Sequence, residues 1–127
     1  MPLLETLVAG MRWGLLLITD AQSRELFDPD ATPDQVHRNE TGVIVPVLHA
    51  AEGEVTVRLW SDRLDVPTQA TVFDGEVSVP SGLLRIGAAD DSVGIVVTVA
   101  TGRQRLVVSV DDPIESQVID IWASPSA

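Results

Sequence analysis

Few side chains in this sequence are equipped for chemistry. There are two histidines, His37 and His49, and no cysteine. A thiolate nucleophile, a thiolate metal site and a disulfide framework are therefore excluded. A hydrolytic triad would need a serine, a histidine and an acid to converge. The Gly-x-Ser-x-Gly elbow is absent, and Val79-Pro80-Ser81-Gly82 reads as a turn. Asp28, Asp30, Thr32 and Asp34 alternate as in a calcium loop. Pro33 stands where that loop needs its glycine, and Asn39 where it needs glutamate. The run reads as a solvated acidic loop. Asp90-Asp91 and Asp111-Asp112 fall in expected turns, where neighbouring carboxylates point apart and suit backbone capping better than acid/base work. No Gly-rich phosphate loop occurs. The expectation is no catalytic residue, no bound metal, no cofactor, and a protein that is not an enzyme.

Tryptophan is the other conspicuous chemistry. Trp13, Trp60 and Trp122 stand in a chain with 4% aromatic residues and no tyrosine. Trp60 falls on the outward side of a regular strand. Trp122 ends the last strand on the side it shares with Val118 and Asp120. Partly exposed indoles make binding anchors, whereas indoles beneath a second layer, such as an N-terminal helix, would be core. The candidate partner-binding set is Trp60, Asp62, Asp111, Asp112 and Trp122.

Charge sets the class of partner. Nineteen acids face eight arginines, with no lysine, for a net charge of −11. That sign repels nucleic acid and anionic membrane and attracts a basic protein. It also maintains solubility by itself. The N-terminal apolar stretch is interrupted by Glu5 and Arg12 and has no basic leader, so neither a secretory signal nor a membrane span is expected. Cytoplasm is the expected location. Met11 could serve as an alternative start, which would make the first ten residues less essential.

These residues must be positioned by a framework of strands. At 127 residues the chain is the size of one domain, with 45% hydrophobic residues, many of them valine. Leu3, Leu4, Leu7, Val8 and Met11 recur at helical spacing, so residues 1–12 are expected as a helical extension. Thr32-Pro33-Asp34-Gln35 reads as the start of a second short helix. Strands are expected over 13–19, 43–48, 54–60, 70–73, 76–79, 83–86, 92–100, 103–110 and 115–122, with 123–127 as a tail. Val55, Val57 and Leu59 face inward, and Val93, Ile95, Val97 and Val99 share one face of their strand. Pro46 marks an edge or a bulge. Asp74-Gly75, between two alternating runs, predicts a hairpin turn. Turn signals recur roughly every 8–12 residues, the rhythm of a sandwich or barrel. The expected fold is mainly β: an antiparallel β-sandwich or barrel of about eight strands, with one or two short helices near the N-terminus, forming a single domain over 1–127.

The order of features resembles a bacterial family. Leu17-Ile18-Thr19-Asp20 precedes an acidic stretch and the 54–60 strand. Then come Phe73-Asp74-Gly75-Glu76, Pro80-Ser81-Gly82-Leu83-Leu84-Arg85-Ile86, and finally Glu115-Ser116-Gln117-Val118-Ile119-Asp120-Ile121-Trp122. Over residues 13–122 this is similar to the small acidic β proteins related to competence protein J, the inhibitor of a DNA-entry nuclease. The resemblance implies a β fold and inhibition by contact. An acidic protein can occupy a nuclease's basic cleft and gain on-rate by electrostatic steering. Two other readings stay open: a self-assembling scaffold that forms homo-oligomers through edge strands or an apolar sheet face, and a small-ligand carrier or enzyme with a pocket inside a barrel.

Overall fold

The alternation of valines resolves into strands throughout the computed structural model, which describes residues 3–11, 13–23, 36–60, 70–89, 93–113 and 115–125. The strands are β1 (Leu3–Ala9), β2 (Leu15–Asp20), β3 (His37–Arg38), β4 (Gly42–Pro46), β5 (Val55–Trp60), β6 (Ala70–Val79), β7 (Leu83–Ala88), β8 (Gly94–Thr98), β9 (Gly102–Val110) and β10 (Val118–Pro125). They form two five-stranded sheets. Sheet 1 has the order β1-β5-β10-β9-β6, and sheet 2 the order β3-β4-β2-β7-β8. Neither closes into a barrel, and no helix occurs among the described residues.

Period-2 alternation decides which side of each sheet is buried. Sheet 1 sends Val55, Val57, Val77, Leu106, Val108, Ile119 and Ile121 inward. Sheet 2 sends Leu16, Ile18, Val43, Val45, Leu84 and Ile86, and all belong to one buried cluster. Two sheets facing each other across a shared aliphatic core make a sandwich-like arrangement. The inward positions expected for β5 are borne out, and the face shared by Val93, Ile95, Val97 and Val99 is the core side. Val55, Val57 and Leu59 are buried, and Val93, Ile95, Val97 and Val99 pack against the cluster. Pro46 ends β4 opposite Leu15, beyond the reach of the two-residue β3, so its missing N–H interrupts no ladder.

Four expectations are corrected. Residues 3–9 are not a helix but the edge strand of sheet 1, paired antiparallel with β5 from Ala9↔Val55 to Leu3↔Trp60. Helix propensities differ by tenths of a kcal/mol per residue. Against that, β5 supplies a ladder of backbone bonds, and Met11 is fully buried, worth about 1.5–3 kcal/mol. Residues 3–9 therefore supply a strand rather than a dispensable extension. The second expected helix, beginning at Thr32, lies outside the described residues.

The sheets are not purely antiparallel, because β10 runs parallel to β5, from Val118↔Thr56 to Trp122↔Trp60. These two strands are joined through all of β6 to β9, so no local crossover betrays their pairing. The C-terminal segment is not a tail at 123, since β10 continues to Pro125 against Gln104.

Asp74-Gly75 is not a turn. β6 passes straight through it, with Asp74 opposite Val107 and Gly75 opposite Leu106. A two-residue hairpin turn would need positive φ at Gly75, and the positive-φ glycines are Gly14, Gly53, Gly82 and Gly102. Gly75 is instead covered by the Phe73 ring: an added Cβ would come within 2.9 Å of Phe73 Cζ. The chain reverses later, at Pro80-Ser81-Gly82. There Gly82 takes φ +74° and its N–H donates to the Val79 carbonyl at 3.1 Å.

Candidate partner-binding surface

Burial of Val57, Leu59, Ile119 and Ile121 forces Arg58, Trp60, Asp120 and Trp122 onto the other side of sheet 1. The parallel register then sets Arg58 beside Asp120 and Trp60 beside Trp122. Asp120 is buried, with both carboxylate oxygens engaged. Arg58 Nε donates to Oδ1 at 2.7 Å, Arg58 Nη2 to Oδ2 at 3.0 Å, and Trp60 Nε1 to Oδ1 at 2.7 Å. The Arg58 guanidinium lies 5.5 Å from the Trp60 ring centroid. A second set repeats the chemistry two strands over. Arg105 pairs with both oxygens of Asp74, at 3.0 and 2.8 Å, and sits 5.7 Å from the Trp122 ring. The Asp74 partnership, hydrogen bonding first and charge second, raises the Arg105 pKa above its ordinary value.

This arrangement orients two half-buried indoles in advance of contact. Forked guanidinium–carboxylate pairs fix direction as well as distance, and cation–π contacts hold the ring planes. Surface presented this way loses little side-chain entropy on binding.

Asp111 and Asp112 do not join the tryptophans. They follow β9, at the end of sheet 1 where β10 begins, and Trp122 lies four residues further along β10, on the order of 13 Å. Asp111 Oδ1 accepts the N–H groups of Asp112, Gln117 and Val118, at 2.9, 3.1 and 3.1 Å. It acts as the turn cap expected of such pairs. The same end carries the exposed Glu52, Glu54, Asp112 and Glu115. Its two loops are tied together by Leu48 N–H to Ser116 O and Thr56 N–H to Gln117 O. Asp62, the Asp28–Asp34 run and Asp90-Asp91 lie outside the described residues.

Trp13 differs from its expected place in the first strand. It sits in the Met11–Gly14 turn before β2, at 63% exposure. Met11 bridges to His49, and its carbonyl accepts the Ala50 N–H, so this turn borders the 49–52 turn of the acidic end. His49 Nδ1 accepts the Ala51 N–H, whereas His37 belongs to β3, opposite Ile44.

The buried Asp20 ends β2 and organises the turn of Ser81. Its Oδ2 accepts the backbone N–H and the hydroxyl of Ser81, at 3.0 and 2.9 Å, and its Oδ1 accepts Gln22 N–H at 2.8 Å. Burial alone would raise its pKa. The hydrogen bonds outweigh that and hold it below the ordinary carboxylate value.

The residues that orient the tryptophans, Arg58, Asp74, Arg105 and Asp120, were not among the candidates read from the sequence. One signal was available for Asp120. It is a lone acid between two isoleucines in the last strand, on the tryptophan side.

No family model and no curated protein matches the chain. Among solved structures it is similar to "Crocagin biosynthetic gene J", with a TM-score of 0.58, 17% identity, and coverage of 97% of this chain and 96% of that one. It is also similar to ComJ, inhibitor of the DNA degrading activity of NucA, from Bacillus subtilis. Here the TM-score is 0.74, the identity 9%, and the coverage 95% of each chain. The fold implied by the resemblance to competence protein J is thus the fold that this chain shares with ComJ.

Proposed function

We propose that this chain is a non-catalytic binding protein that engages a basic protein partner, in the manner of an inhibitor of a DNA-degrading nuclease. The observation that carries the reading is electrostatic. Every arginine among the described residues is committed within the chain. Arg38 donates to Glu76 O, Arg58 pairs with Asp120, Arg85 donates to Val93 O, Arg103 pairs with Glu40, and Arg105 pairs with Asp74. Among the described residues eleven acids stand against five arginines, and Glu5, Glu52, Glu54, Asp111, Asp112 and Glu115 are exposed. A basic cleft would meet a surface of opposite sign, with Trp60 and Trp122 as held aromatic contacts. The ComJ-like fold supports the same reading.

The test is a DNA-degradation assay with NucA-type nucleases, titrated with the chain at low and high ionic strength. Loss of cleavage at stoichiometric amounts, relieved by salt, is the expected result. Unchanged cleavage, together with no stoichiometric basic partner recovered at either ionic strength, would sink the proposal.

A further inference from the structure

Open sheets leave edges, and an unguarded edge is a template for another strand. Three of the four edges here carry recognised guards. β1 has a register shift between Leu3 and Glu5, and Glu5 stands opposite the inward-facing Leu59, which puts a charge on the core side of the edge. β6 has a register shift between Thr71 and Phe73. Its outer backbone is also occupied: Arg38 Nη2 donates to Glu76 O at 2.7 Å, and Ser78 N–H donates to Glu40 O at 2.8 Å. β3 is only two residues long.

β8 has none of these devices. Its sequence, Gly94-Ile95-Val96-Val97-Thr98, contains no charge and no proline, and its register with β7 is unbroken from Gly87↔Gly94 to Leu83↔Thr98. Val93 O accepts from Ala88, and Val99 N–H donates to Gly82 O. The odd-numbered residues therefore turn their backbone groups toward β7. Gly94, Val96 and Thr98 turn theirs outward, and all three are exposed, Val96 at 55%. The next carbonyl in that series, Ala100 O, is taken by Gln104 Nε2 at 2.7 Å. The outward groups of Gly94, Val96 and Thr98 thus form a set symmetric about Val96.

We propose that this edge pairs with β8 of a second copy of the chain, antiparallel, about a two-fold axis at Val96. Val96 then faces Val96 of the second copy, and Gly94 faces Thr98. Each pair exchanges both of its N–H···O bonds, which pairs every outward group of these three residues. The contact is isologous, and it joins two copies of sheet 2 into one continuous sheet. The strand contributes no charge, so the opposition to pairing comes from the net charge of −11 on each copy. Salt screens that repulsion. Self-association therefore strengthens with ionic strength, whereas binding to a basic partner weakens. A contact of this size lies below the roughly 1,200 Å² of a standard interface, so the dimer is weak and concentration-dependent.

The experiment is sedimentation velocity over a roughly hundredfold concentration range at low and high salt, paired with residue-resolved amide exchange at both ends of the range. The intact chain is expected to pass from monomer to dimer, at lower concentration in high salt. The amides of Gly94, Val96 and Thr98 are expected to gain about tenfold protection or more, while Ile95 and Val97 stay unchanged. Val96→Lys opposes like charges across the axis. Val96→Pro removes an outward N–H without touching the β7 ladder. Both variants are expected to stay monomeric. Three results would overturn the proposal: a monomer throughout, a dimer whose Gly94, Val96 and Thr98 amides exchange as fast as in dilute solution, or folded variants that dimerise like the intact chain.

Discussion

Asp120→Asn removes one charge from the centre of the tryptophan network while keeping the shape. The carboxylate is buried and takes two donors from Arg58 and one from Trp60. The amide retains one acceptor oxygen, so one of its two sites must present an NH₂ group to a donor. Hydrogen bonds to a charged group contribute about 1.5–3 kcal/mol each, and breaking a buried pair costs about 3–5 kcal/mol. Arg58 is 26% exposed and regains part of its hydration, which lowers the loss to about 2–4 kcal/mol. In a chain of this size that is roughly 10 °C or more in Tm. Urea unfolding followed by tryptophan fluorescence measures it, and near-UV circular dichroism reports whether the indoles lose their fixed setting. Arg58→Met combined with Asp120→Leu removes both charges and should recover most of the loss, because no ion is left buried alone. An Asp120→Asn midpoint within about 0.5 kcal/mol of the parent would refute the reasoning, since a carboxylate so held cannot be neutralised without cost.

Further outcomes follow from other contacts. The folded pKa of Asp20 lies below its unfolded value, so its contribution is present above the ordinary carboxylate range and lost as pH falls through the lowered folded value. Urea midpoints measured from about pH 5 to 2 should show that acid-side loss, and Asp20→Asn should flatten it. Asp111→Ala strands three backbone donors of an exposed loop and should cost about 1–2 kcal/mol in urea unfolding. Gly75→Ala pushes its methyl against Phe73 and should cost about 1 kcal/mol or more, with a changed near-UV spectrum marking the displaced ring.

Segments that alternate by themselves were legible. Glu54 to Trp60 and Ser92 to Ala100 showed their period, because burial on one side leaves that mark, and for the first the inward face was legible as well. Residues 3–9 misled because Leu3, Leu4, Leu7 and Val8 satisfy helical spacing, while the deciding contact, the β5 ladder, lies about fifty residues away. Asp74-Gly75 misled for a related reason. The pair is a turn signal locally, but Arg105 and Phe73 give each residue another use. Trp60 and Trp122 were correctly placed on one side of their strands, yet their adjacency depends on a parallel register between segments some sixty residues apart. The arginines and acids that hold them inherit that non-locality.

The position of β10 has a consequence for synthesis. It is the middle strand of sheet 1, between β5 and β9, and it follows every other strand among the described residues. Until β10 is available, the native pairings open to sheet 1 are β1 with β5 and β6 with β9, two halves with the place of β10 between them. The facing edges of β5 and β9 are then open templates, and non-local pairing of this kind closes slowly. Sheet 1 therefore cannot close before the Val118–Pro125 segment is made, and the stage just before it leaves the most strand edge open to miscoupling.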